Sequence, residues 1–516
     1  MSTLAVSERS AETSVPGIGE APPSQAGPVT NGEAVRLPPG DPAPNWLQTI
    51  RFGIRPISTN LRNYRRYGDV WNLKILARKE GFVVTCHPDH VRSLMKAKPE
   101  DAPSLTGESP LRPILGPDSI LTSVGERHMR QRKLLLPSFH GESVQRYVEM
   151  ISTVAEREID RWPVGEPFAL APRMSAVTLD VIMSGIFGIE GKPAPGTTGY
   201  RIRRTIRRLL AASTNPAFKL IELQNVRRRE PTGILRVLLG IVDRQLLAII
   251  AERRAEGAGE GERTDVLSLL LHARDEDGAP LTDSELRDEL LSLVLAGHET
   301  TANQLAWIFE RMLRTPAAYD PLRELTRAGG PEGDAYVEAT IHEGMRVRPV
   351  IPMIVRMVTR PWRFGDYVVP ARTPVAVSIV ALHHREDVYP DPLAFRPERF
   401  LNLKPPDDPG DERSGEAGSR AFIKQPDDPG DERSGEAGSR AFIKPGTYTW
   451  IPFGGGIRRC LGASLAMAEQ RVVLEAIARR TDLRAAEVGP EHARQRTVTT
   501  IPSRGGRVVV TSRDAG

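Results

Sequence analysis

Cysteine occurs only twice in this chain, at Cys86 and Cys460. The second stands in FGGGIRRCLG, residues 453–462, directly ahead of a helix-like run, ASLAMAEQRVVLEAIARR. A glycine-rich turn running into a helix offers backbone N–H groups and the positive end of the helix dipole. Both stabilise a thiolate. Glycines let the backbone press against something flat, and Arg458, two residues before the sulfur, supplies a cation for an anionic group. Thiolate, close backbone and cation together suit a haem, with iron on sulfur and a propionate on arginine. A phosphate loop would close in G-K-[ST], which is absent. A tight turn before a helix, with the cysteine as buried filler, is the plainer alternative. Cys86, in GFVVTCHPDHV, reads as a small core residue at the end of a strand.

A second group lies in LTDSELRDELLSLVLAGHETTANQLAWIFERMLRTP, residues 281–316. Thr282 and Glu285 fit a capping box and Pro316 marks a stop, so the spacing predicts a helix of roughly 30 residues. Its middle, AGHETT, sets Glu299, Thr300 and Thr301 in an apolar context. An acid and an alcohol there suit proton delivery at a local opening lined by Ala296 and Gly297; a threonine bonded back to the carbonyl four residues earlier is the alternative. His298 is given no role. A third group is IHEGMRVRP, where Glu343 and Arg346 share a helix face. With Arg399 of FRPERF they would make a buried three-member network that holds the cysteine loop, because a paired buried charge network is costly to break.

These groups need a frame. VWNLKI and GFVVTC read as strands, residues 125–345 are mostly helical in pattern, and RTVTTIPSRGGRVVVTS reads as a hairpin around SRGG. The fold class is therefore α+β, mainly α with small β sheets, in one large domain. The 516 residues carry a net charge of +5, with 40% hydrophobic and 26% charged residues, as in ordinary globular proteins. Arginine dominates the basic residues without forming a stripe, which excludes a nucleic-acid footprint. Two cysteines imply a reducing, cytoplasmic setting. Residues 1–40, rich in Ser, Pro, Gly and Glu, read as a disordered tail before a domain at 41–516. Residues 406–424 and 426–444 repeat one string, PDDPGDERSGEAGSRAFIK. Two copies are too few for a solenoid, so 405–444 reads as a duplicated insertion loop.

Taken together, the motifs resemble the cytochrome P450 family. FGGGIRRCLG is similar to its cysteine-loop pattern F-x-x-G-x-R-x-C-x-G at every fixed position, and AGHETT, EGMR and PERF follow its other motifs in order. The resemblance runs from about residue 38 to the C-terminus and implies the P450 fold. It implies haem b bound by Phe453, Arg458, Cys460 and Gly462, with Cys460 as the metal ligand. His128 and Arg132 of GERHMRQRK, with Arg356 of RPVIPMIVRMV, would reach the propionates, and Ala296 would lie against the haem. Glu299 and Thr300 would form the acid–alcohol pair for dioxygen activation, with Thr301 secondary. The implied activity is a haem-thiolate monooxygenase that hydroxylates or epoxidises a lipophilic small molecule such as a fatty acid, terpenoid or steroid.

The substrate pocket would include Val350, Ile351, Met353, Ile354, Val498 and Thr499, with residues 215–230 as a lid carrying Arg227, Arg228 and Arg229. No flavin or iron–sulfur segment is fused to the chain, so NAD(P)H electrons are expected through a separate ferredoxin and ferredoxin reductase. Arg127, Arg130, Lys133 and Arg459 are a candidate basic docking face for the acidic partner. No transmembrane run is evident, and a monomer is expected. A peroxide-driven haem-thiolate enzyme and a haem-based sensor are the rival readings; turnover with a bound substrate separates the sensor from both enzymes.

Overall fold

A computed structural model of the protein describes residues 19–30, 33–76, 78–105, 111–139, 142–213, 225, 228, 230–256, 263–401 and 446–514. Its axis is the helix Asp283–Met312, 30 residues long, or about 45 Å at 1.5 Å per residue. The Thr282 hydroxyl accepts the Glu285 N–H at 3.2 Å, and the Glu285 carboxylate accepts the Thr282 N–H at 2.9 Å. This reciprocal cap satisfies two donors that the first turn would otherwise leave unpaired. Pro316 opens the next helix, Pro316–Ala328. Residues 301–310 are buried on every side, as a helix through the centre of a large domain must be.

The expected local opening at AGHETT is not formed. The helix is continuous through it, and the Thr300 hydroxyl donates to the Ala296 carbonyl at 2.7 Å. The side chain thus adds a second donor to a carbonyl that the backbone ladder already uses, without breaking the turn.

Two core clusters meet on this axis. Leu170–Phe187 packs along the long helix and divides its own side chains between them: Leu170, Met174, Val177 and Val181 enter one, and Ile182, Met183, Ile186 and Phe187 the other. That explains why a helix with the length and apolarity of a membrane span, mean hydropathy 1.3, lies in the protein interior. Pro331–Val347 crosses the long helix closely enough that a Cβ on Gly344 would stand 2.3 Å from Ile308 Cγ1.

A four-stranded sheet flanks the helices in the order Val70–Ile75, Arg78–Thr85, Thr373–Ser378, Met353–Val358. The outer pairs are antiparallel and the middle pair is parallel. The first two strands are those the alternation predicted, and Cys86 is fully buried beside them. The C-terminal hairpin differs from expectation. Thr499–Pro502 pairs with Ala493–Arg496 through a turn at Thr497, whose φ is +48°. Arg507–Arg513 instead joins Pro167–Ala169 and Thr481–Ala485. Gly505 and Gly506, with φ of +78° and +66°, send the chain from one sheet to the other instead of closing SRGG into a hairpin.

The expected tail also differs from the observed chain. Residues 1–18 lie outside the described residues, but 19–30 and 33–40 are laid onto the domain. Ala26–Pro28 pairs antiparallel with Trp362–Phe364, Gly19 donates to the Val388 carbonyl at 2.7 Å, and Arg36 bridges Val368. Backbone pairing with an existing sheet edge needs no large apolar side chains, which is why composition misjudged this stretch. The duplicated string at 406–444 lies outside the described residues, as do 214–224, 226, 227 and 229 of the expected lid.

Candidate active site

The cysteine loop is built around a single turn, Gly456–Arg458, and feeds the helix Ala463–Arg480 with Gly462 as its N-cap. The Cys460 N–H donates to the Phe453 carbonyl at 2.9 Å and closes the loop on itself. Gly456 has φ of +63°, and a Cβ there would sit 2.3 Å from the Met95 carbonyl oxygen. The loop therefore lies directly on the end of the helix Pro88–Lys96, and only glycine permits that approach. Cys460 is exposed at the loop surface. Desolvation by the protein packed around the loop pushes its thiol up even so, while the Gly462 amide, Arg459 and Arg132 pull the other way. The amide and cations are the groups that stabilise a thiolate once an electrophile or metal meets it.

Beside the loop, His128, Arg356 and Arg458 line one cavity with Met95, Ser104 and Gly125. Burial pushes Arg356 and Arg458 each down to about 10, and for Arg458 the charges of Arg356 and Arg132 add to the effect. His128 falls to about 3, through burial first and then the charges of Arg458, Arg132 and Arg356. Cations thus converge on a neutral imidazole. Arg356 is 8% exposed, and among the described residues its side chain donates only to Ser104 Oγ at 3.5 Å, the Val355 carbonyl at 3.4 Å and Met95 Sδ at 3.9 Å. Among the described residues no carboxylate pairs with it. A buried guanidinium in that condition is strongly unfavourable unless an anion meets it. A thiol-bearing glycine cradle beside a cation cluster suited to two carboxylates fits a haem.

The chain matches the cytochrome P450 family model over residues 37–508. The chain belongs to the cytochrome P450 family. It is 33% identical over 488 residues to a protein named cytochrome P450 137 from Mycobacterium tuberculosis, covering 92% of this chain and 91% of that one. It is 32% identical over 497 residues to cytochrome P450 135B1 of Mycobacterium bovis, covering 93% of each. Among solved structures, the retinoic acid-bound cyanobacterial CYP120A1 matches with a TM-score of 0.68 at 20% identity, over 93% of this chain and 100% of that one. Membership makes this P450 a monooxygenase of the oxidoreductase class. It uses haem with a cysteine thiolate ligand, dioxygen, and electrons that originate in NAD(P)H and arrive through partners.

The three-member network of this P450 is assembled as the sequence suggested. Arg346 donates to both oxygens of Glu343, at 2.6 and 2.7 Å, and Arg399 Nε lies 3.4 Å from the same carboxylate. All three side chains are buried. Arg346 also donates to the His383 carbonyl at 2.8 Å, and His383 Nε2 accepts the Ile451 N–H at 2.9 Å. Trp450 stacks on His342 at 4.3 Å. These contacts lead from the network into residues 450–451, at the root of the cysteine loop. Sequence reasoning found the ion triad but not His383, His342 or Trp450, because no spacing rule links them.

Glu299 is half-buried and engaged. Arg496 Nε stands 3.3 Å from its carboxylate, and the Thr499 hydroxyl donates to it at 3.1 Å. Thr499, expected in the pocket wall, meets the acid through this hydrogen bond. Thr301 is buried and Ala296 is exposed. Ile351, Met353 and Ile354 are half-buried against the sheet core, whereas Val350 is inside a core cluster with Ile57, Trp307 and Val380. Val350 thus contributes its carbonyl, which accepts the Thr500 N–H at 2.7 Å, and not an open wall. Val498 is 36% exposed at the hairpin turn.

The expected basic docking face is largely neutralised. Arg127 pairs with Asp118 at 2.9 Å, Arg130 with Asp275 at 2.6 Å and Glu285 at 2.7 Å, and Lys133 with Glu276 at 2.6 Å. Composition could not show these pairs: Asp118 comes from the preceding loop, and Asp275, Glu276 and Glu285 from a turn and a helix start about 150 residues away.

Proposed function

We propose that this P450 oxidises a lipophilic small molecule, such as a fatty acid, terpenoid or steroid, by hydroxylation or epoxidation. Cys460 would ligate the haem iron through its thiolate, with Phe453 and Gly462 shaping its loop, and His128, Arg132, Arg356 and Arg458 would hold the haem propionates. The observation that carries this reading is the buried Arg356, without a carboxylate partner among the described residues and lying in one cavity with Arg458 and His128. When bound, the haem supplies dioxygen activation, and the thiolate favours O–O cleavage.

The chain's own residues deliver protons and orient substrate. Glu299, partly open to solvent, takes up a proton and is held in place by Arg496 and Thr499. The Thr300 hydroxyl, which donates to the Ala296 carbonyl, would turn from it to hold a proton for transfer. Ile351, Met353 and Ile354 present apolar surface to the substrate. Glu343, Arg346 and Arg399 fix the cysteine loop.

The enzyme acts as a cytoplasmic monomer fed by a ferredoxin and its reductase. Exposed Arg92, Lys96 and Arg459, next to the cysteine loop and without a carboxylate partner among the described residues, support docking of an acidic protein. A spectral binding screen of fatty acids, terpenoids and steroids tests the substrate class. A saturable Soret shift with one class, followed by an oxygenated product, is expected. Absence of a shift with all three would overturn the lipophilic assignment.

A further inference from the structure

We infer that Glu289 is a positioning residue that sets Arg458 through the loop 116–123. The inference rests on the reading that Arg458 meets a haem propionate. Glu289 lies on the long helix, ten residues before Glu299, and is fully buried. Its Oε1 accepts the Ile120 N–H at 3.0 Å. The Ile120 carbonyl accepts Arg458 Nη1 at 2.9 Å, and the Ser123 carbonyl accepts Nη2. One residue of the loop therefore faces the long helix with its donor and the cysteine loop with its acceptor.

The rest of the loop is clamped on the same two sides. Asp288 Oδ2 accepts the Asp118 N–H at 2.8 Å, and the Ser119 and Ser292 hydroxyls meet at 2.5 Å. Gln131 donates to the Asp118 carbonyl and accepts the Ser123 hydroxyl at 2.6 Å. Gly116, at φ +91°, passes so close that a Cβ would fall 2.1 Å from Asp288 Oδ2. Among the described residues, Glu289 Oε2 has no hydrogen-bond partner. Burial raises the Glu289 carboxyl well above the usual range, and Asp288, Glu285 and Asp118 push it the same way.

A buried polar atom without a partner is unfavourable, and an apolar residue of equal size would avoid that penalty. What an apolar residue cannot do is accept the Ile120 N–H. Without that anchor the Ile120 and Ser123 carbonyls lose their fixed position, and the Arg458 guanidinium loses the two acceptors that aim it.

The test is the rate at which the haem-loaded full chain gives up haem to excess apomyoglobin, with haem and with haem dimethyl ester, whose propionates are blocked. Glu289→Leu should release haem about tenfold faster than the parent and the ester at the parental rate. Glu289→Gln, which keeps the acceptor, should stay within about twofold for both. Arg458→Leu should also act on haem alone, and the double variant with Glu289→Leu should be no faster than Arg458→Leu. A general loosening of the fold would speed release of haem and ester alike, and that result, or multiplied effects in the double variant, would overturn the inference. If Arg458→Leu itself leaves the haem-to-ester ratio unchanged, the propionate reading fails separately. Should Glu289→Leu not fold, Glu289→Asp withdraws the oxygen by one methylene and is expected to speed haem release several-fold; an unchanged rate would count against the proposal.

Discussion

Glu469 offers a direct check on the energetics of the helix that follows the cysteine loop. It lies on Ala463–Arg480, is 4% exposed, and among the described residues its Oε1 has no hydrogen-bond partner. Burial alone pushes the carboxyl from 4.5 to about 8. The unfolded chain releases this proton near pH 4.5 while the folded chain keeps it to about pH 8, so the folded state binds more protons in that window. Stability then falls as pH rises from about 4.5 to 8 and is insensitive to this group outside it. At pH 7.5 the span is three pH units at about 1.36 kcal/mol each, or roughly 4 kcal/mol, against about 1 kcal/mol at pH 5. Glu469→Gln mimics the protonated acid and removes the titration. An unfolding entropy of about 2.1 cal/mol/K per residue gives about 1.1 kcal/mol/K for a chain of this length. The variant should therefore melt roughly 3–4 °C above the parent at pH 7.5 and within about 1 °C of it at pH 5. Thermal melts of both proteins across this range supply the difference curve. Parallel pH profiles, or a gain confined to acid pH, would refute the assignment of a buried, unpaired carboxyl.

Further outcomes follow from the site. Cys460→Ala should abolish the red-shifted Soret band of the reduced, carbon monoxide-bound protein, and persistence of that band would remove Cys460 as the ligand. Thr300→Ala should keep haem and substrate binding but divert electrons to peroxide, and Glu299→Gln should slow proton delivery; product formed per NAD(P)H consumed measures both. Glu343→Gln should lower haem retention and cost about 3–5 kcal/mol of stability, because it strands Arg346 and Arg399 in the interior; denaturant unfolding with haem absorbance as a second probe checks it. Deleting Gln425–Lys444, the second copy of the duplicated string, should leave haem content and melting temperature within error of the parent.

Much of the site was legible because its chemistry is local. FGGGIRRCLG, the capped long helix and the Glu343–Arg346 pair each fit within a few helical turns, where spacing alone dictates geometry. What escaped was assembled across the chain. The Glu299–Thr499 hydrogen bond and the Arg496 ion pair join residues about 200 positions apart. The Ile120 loop is held by an acid 169 residues downstream. The supposed hairpin at SRGG failed because alternation reports strand propensity and not partner choice, which here was decided by two left-handed glycines. The basic face failed because a count of arginines ignores the acids folded against them.

The amino-terminal strand has a consequence for synthesis. Ala26–Pro28 leaves the ribosome roughly 340 residues ahead of its partner Trp362–Phe364. At about 5–20 residues per second, that is a wait of some 20–70 s. During that interval the strand has no sheet to join, and its proper edge is built only after the long helix and the Glu343 helix have emerged. A nascent chain arrested before residue 362 should thus be trimmed by protease within 19–40, and a finished chain should resist cutting there.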